Sequence, residues 1–129
     1  MKDEKKNNLF KYATKELSQD AFLCWSINWI NYPENSLNKY GKEMLDLFLG
    51  NNRFEEYYDV EVKRQYKKID VLVLYKDNQG QEYALIIEDK TNTSEHSNQI
   101  ERYKAVIKED FKNAIINVAY VKTGIIYDV

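Results

Sequence analysis

Only one cysteine (Cys24), one histidine (His96), one proline (Pro33) and four glycines occur among the 129 residues. A single thiol excludes an internal disulfide and a cysteine-based zinc cage, and a reduced, cytoplasmic setting is expected. The glycines form no Gly-x-Gly-x-x-Gly and no Walker sequence, so the usual phosphate-cradling loops are excluded. The longest apolar runs are far too short to span a membrane. The opening MKDEKKNN reaches Leu9 and Phe10 without the apolar stretch of a secretory signal. Basic excess is missing too: the net charge is −2 and the pI is about 5.5. Avid non-specific DNA binding usually carries a stronger basic footprint, so the placement of the basic residues matters more than their sum.

What is present reads as globular. Apolar residues make up 43% and charged residues 31%, and 129 residues suit one domain with one core of useful size. Residues 1–8 are polar and expected to be flexible. From Thr14 onward, Leu17, Ala21, Phe22, Cys24, Trp25, Ile27 and Trp29 recur at spacings of three and four, which predicts a helix with a broad apolar face. Pro33 breaks it. A second helix, capped by Asn35 or Ser36, carries Leu37, Tyr40, Met44, Leu45, Leu47 and Phe48 and stops at Gly50.

The period then changes. Tyr58 to Tyr66 alternates like a half-buried strand, and Ile69 to Tyr75 is an apolar, β-branched run suited to a buried strand. Asp77-Asn78-Gln79-Gly80 signals a turn, and Tyr83 to Glu88 is the returning strand. A helix capped near Thr93 or Ser94 and bearing Ile100, Tyr103, Val106 and Ile107 follows, and Ala114 to Val121 is a last strand. The order α-α-β-β-β-α-β predicts an antiparallel meander, a helical crossover and a parallel return, in a mixed four-stranded sheet with helices on both faces. Because the chain ends just past a buried strand, either a domain truncated at its C-terminus or a natural minimal form is expected.

The chemistry concentrates on Asp70 and Glu88-Asp89-Lys90. Asp70 begins one strand and Glu88 ends the next, so a tight hairpin brings the two carboxylates side by side. Without a thiol or second histidine nearby, they make a hard oxygen site suited to Mg2+ or Mn2+. Lys90 lies two residues beyond Glu88 and points to the same side of the strand. There it can orient or deprotonate an attacking water and neutralise charge on a phosphate, while a metal polarises the phosphoryl oxygen. Glu88 and Lys90 alone also read as a solvated ion pair of little energetic weight.

Gln99 and Tyr103 lie four apart on the following helix and share a face. Glu88-x-Lys90 followed by Gln99-Ile-Glu-Arg-Tyr103 resembles the PD-(D/E)xK nuclease superfamily, in its exonuclease-like branch with a Gln-x-x-x-Tyr motif. Glu16 matches in position the glutamate that this branch places in its first helix, and the resemblance runs from about Leu9 to Val121. Ile69 stands where the proline of the family's name would be, which affects strand entry more than the chemistry. The resemblance implies a restriction-endonuclease-like fold and metal-dependent hydrolysis of DNA. Asp70, Glu88 and the backbone carbonyl of Asp89 would ligate the metal, with Glu16 as an outer or second-metal ligand. Gln99 would position Lys90 or the water, and Tyr103 would contact a phosphate.

Further residues extend the candidate site. His96 is close enough in sequence to reach a phosphate or metal, although a lone loop histidine is more often solvated. Asp20, one turn after Glu16, and Glu61 on the preceding strand are weaker ligand candidates. Lys63, Arg64, Lys67 and Lys68 form the one basic cluster and supply a phosphate-facing patch, or else a charged strand edge that resists aggregation. The eleven tyrosines could stack on single-stranded bases but read mainly as core and rim, and Trp25 and Trp29 read as core. A Mg2+- or Mn2+-dependent deoxyribonuclease is thus expected, as a possible homodimer or part of a longer chain. The alternative is a catalytically silent nuclease-like domain that binds nucleic acid or a protein partner.

Overall fold

Two helices, a three-stranded meander, a crossover helix and a parallel return build the molecule in the order the sequence patterns predict. The computed structural model describes residues 19–89, 96–122 and 125–128, with side chains for 19–88 and 98–121. Helix α1 is Gln19–Asn28, extended by a 3-10 turn over Trp29–Asn31, and α2 is Asn38–Leu49. Strands β1 (Tyr58–Tyr66), β2 (Ile69–Lys76) and β3 (Glu82–Asp89) follow, then α3 (His96–Asp110) and β4 (Ile115–Lys122). A fifth strand, β5 (Ile125–Asp128), corrects the expected four: it pairs antiparallel with β4 and extends the sheet to β1-β2-β3-β4-β5. Its four residues fall where the sequence reads only as a chain end.

Pairing is antiparallel across β1-β2 and β2-β3 and parallel across β3-β4, the last made possible by the α3 crossover. Strand alternation sends Val71, Val73, Tyr75, Leu85, Ile87, Ala119 and Val121 to one face, where Leu23, Cys24 and Ile27 of α1 and Leu45, Phe48 and Leu49 of α2 cover them. Leu72, Ala84 and Ile86 point the other way, into Ile100, Tyr103 and Ile107 of α3. Each fully buried aliphatic side chain in these two layers contributes roughly 1.5–3 kcal/mol. The β2-β3 turn uses its polar residues as the sequence suggests. Asp77 Oδ1 accepts from the Gln79 and Gln81 amides, and Gly80 takes the positive φ of +83°.

Two local features depart from simple patterning. Trp29 is buried, but Trp25 is only half-buried, packing edge-on against Trp29 at a centroid distance of 5.9 Å. Gly41, in the first turn of α2, lies against the turn that follows α1. A Cβ there would stand 2.5 Å from the Ile30 nitrogen and 3.0 Å from the Ile27 carbonyl oxygen. Backbone cannot yield as a flexible side chain does, so Gly41→Ala is expected to destabilise the fold by about 1–3 kcal/mol despite alanine's better helix propensity. Urea denaturation of the two proteins measures this.

Candidate metal centre

The β2-β3 register places the two carboxylates. Val71 pairs with Ile87 and Leu72 with Ile86, and the paired ladder ends there, with Asp70 and Glu88 the next residue on each strand at the same end of the sheet. Alternation puts Glu88 on the α3 face, on the row of Ala84 and Ile86, whereas Ile69 joins that same layer and Asp70 lines the hollow beneath α1. Glu88 is 5% exposed, and Asp70 is half-buried at the end of the sheet.

Two phenols attend this pair. Tyr103, buried in the α3 layer, has its phenol pushed above its ordinary value by burial and then by the charges of Glu88 and Asp70, with Arg102 pulling it back. Tyr120 on β4 faces Glu88 across the parallel register and is pushed up by burial and by the same carboxylate. Both therefore stay protonated near neutral pH and serve as donors. Tyr120 is absent from the sequence reading. Its signal was the β4 alternation combined with a parallel register counted back from Glu88. Gln99, half-buried on α3, stands one turn before Tyr103.

On the opposite side, α1 closes in. Asp20 and Gln19 line a small hollow with Asp70 and Ile87. Gln65 Nε2 donates to Asp20 Oδ2 at 3.0 Å and stands 3.5 Å from Asp70 Oδ1. Arg64 Nε approaches the same Asp20 oxygen at 3.6 Å. Cys24 lies behind this group, and burial, followed by the Asp20 charge, pushes its thiol to about 12, so it supplies no thiolate near neutral pH. No family model, curated protein or solved structure matches this chain.

Other candidate residues fall unevenly around the pair. Lys90 and Glu16 lie outside the described residues, as do Thr93 and Ser94. Asp89 ends β3 opposite Val121, so its backbone follows Glu88 directly, and His96 opens α3; the side chains of both lie outside the described set. Glu61 is exposed, on the middle of β1 opposite Leu74, away from Asp70 along the strand. Among the described residues no group of three or more His, Cys, Asp or Glu is placed to hold a metal ion.

Most of the basic cluster is engaged within the protein. Lys63 pairs with Glu61 at 3.4 Å and Arg64 approaches Asp20, while Lys67 pairs with Asp110 at 2.7 Å. Tyr66 donates to that same Asp110 carboxylate at 2.6 Å, and the Lys67 ammonium lies 5.7 Å from the Tyr66 ring centre. Lys67 and Lys68 form the β1-β2 turn with φ of +46° and +75°, both left-handed. The Asp110 contacts therefore pin a turn that lacks the usual Asn-Gly. Lys68 is exposed. The tyrosines follow the core reading where they cluster: Tyr75 stacks on Tyr83 at 5.3 Å and 9°, and Tyr57 packs edge-on against Tyr75.

The donor chemistry fits a hard divalent cation. Two carboxylates stand at the same end of adjacent strands, one of them buried, near phenols that stay neutral. Mg2+ and Mn2+ take carboxylate oxygens of this kind and complete their shells with water.

Proposed function

We propose that the chain is a metal-dependent phosphodiesterase acting on DNA, with Asp70 and Glu88 as its metal ligands and a restriction-endonuclease-like fold. The observation that carries this reading is the convergence of Asp70 and Glu88 at one end of the β2-β3 pair, with Tyr103 near enough to feel the charge of both. The strand order and the crossover helix agree with that fold, and the Gln99 to Tyr103 spacing supports the resemblance on which the assignment of roles rests. No helix among the described residues is long and apolar enough to cross a membrane.

Asp70, Glu88 and the Asp89 carbonyl would hold Mg2+ or Mn2+, which supplies Lewis-acid stabilisation to charge developing on the phosphoryl group. Lys90, two residues after Glu88 in the sequence, would orient the attacking water and take its proton. Gln99 would hold Lys90 or the water in place. The protonated Tyr103 hydroxyl would donate to a phosphate oxygen, and its buried ring would fix that donor's position. Glu16 would serve as an outer ligand, with His96 and Lys68 available to the phosphate backbone.

Lys90→Ala is expected to remove cleavage of plasmid and linear DNA that the parent shows with Mg2+ or Mn2+. A parent that cleaves neither substrate with either ion, yet binds nucleic acid or a protein, would instead be a silent nuclease-like domain. Within that second reading a protein partner is favoured over nucleic acid, because Lys63, Arg64 and Lys67 have acidic partners that compete with phosphate.

A further inference from the structure

Gln65 occupies a position that regular strand geometry does not explain. It lies within β1, between Arg64, which pairs with Val71, and Tyr66, which pairs with Ile69, and so stands opposite Asp70. Yet its φ is +57°, in the left-handed region that a side chain with a Cβ rarely adopts. Such a residue in a strand interrupts the ladder and re-aims its side chain. Backbone strain of this kind persists only where the surroundings impose it, and it concentrates at sites that use it.

Here the re-aimed group is an amide caught between two carboxylates. Its nitrogen donates to Asp20 Oδ2 at 3.0 Å and reaches toward Asp70 Oδ1 at 3.5 Å. Both neighbours accept and neither donates when ionised, so the amide nitrogen, not its oxygen, must face them. Asp20 is in turn approached by Arg64 Nε at 3.6 Å on the same oxygen, which offsets its charge and braces it against β1. The chain Arg64, Asp20, Gln65, Asp70 thus ties α1 to the strand end that carries the site.

Resting on the metal-site reading above, we propose that Gln65 is a positioning residue: its amide, anchored by Asp20, fixes the Asp70 carboxylate in the orientation that shares a divalent cation with Glu88. Asp20 acts through Gln65 and is not itself a ligand. Hydrogen bonds that orient a ligating carboxylate typically govern ten- to a hundredfold of metal affinity.

Gln65→Gly separates this role from a scaffolding one, because glycine keeps the left-handed backbone without steric strain while removing the exposed side chain with its amide. Mn2+ binding is followed by electron paramagnetic resonance of the free ion, without substrate, and melting is followed in metal-free buffer. The expected result is a ten- to a hundredfold loss of Mn2+ affinity in Gln65→Gly, with melting no lower than the parent. Asp20→Asn, which keeps an acceptor oxygen for Gln65, is expected to stay within a few-fold of the parent in affinity. Parent-like Mn2+ affinity in Gln65→Gly, or a clearly lower melting temperature, would overturn the positioning role alone. Asp20→Asn losing as much affinity as Asp70→Asn would overturn it as well, by making Asp20 a ligand. A parent that binds no Mn2+ would overturn the metal site and this role together.

Discussion

Asp70→Asn is expected to lower Mg2+-dependent DNA cleavage by at least about a hundredfold, the scale of losing one group that stabilises developing charge in a closed site. Asparagine has nearly the shape of aspartate and still offers an oxygen to Gln65, so the end of the sheet should keep its structure. What changes is charge. One of two anionic oxygen donors is lost from a centre whose other carboxylate, Glu88, is 5% exposed. A supercoiled-plasmid assay over a range of Mg2+ concentrations reads the effect, with thermal melting as the control for folding. Cleavage by Asp70→Asn within a few-fold of the parent, at any Mg2+ concentration, would place the chemistry elsewhere.

The second large effect is on stability. A cation that binds only the folded protein stabilises it by about 2.7 kcal/mol at a hundred times its dissociation constant. Mg2+ or Mn2+ should therefore raise the melting temperature of the parent, and Glu88→Gln should abolish that rise. In metal-free buffer Glu88→Gln should melt no lower than the parent, because burying a neutral amide costs less than burying a charge. Opposite changes in metal-free stability and metal response are the signature of a side chain kept for binding and not for the fold. Identical melting of the parent in chelator and in excess Mg2+ would contradict the site.

Much of the frame was legible because it rests on local rules. The polar turn closed by Gly80, between strands of equal length, brings Asp70 and Glu88 to the same end of the sheet. The spacing of Ile100, Tyr103 and Ile107 marks the face of α3 that packs on the sheet. Features set by distant contacts were not legible. The left-handed turn at Lys67 and Lys68 depends on Asp110, more than forty residues away, and counting charge cannot show that Lys67 is already paired. Gln65 reads as an ordinary polar strand residue until α1 brings Asp20 against it. Asp20 itself reads as a solvated helix carboxylate until Arg64 and Gln65 converge on it. Strand β5 is short and lacks a strong period, so only its pairing with β4 reveals it.

The central claim is that Asp70 and Glu88 share one divalent cation. Anomalous scattering from crystals of the protein grown with Mn2+ tests it most directly. The account predicts one strong peak about 2.0–2.6 Å from an oxygen of each carboxylate. Saturating Mn2+ that leaves this position without a peak, or a peak bound by other residues alone, would contradict it.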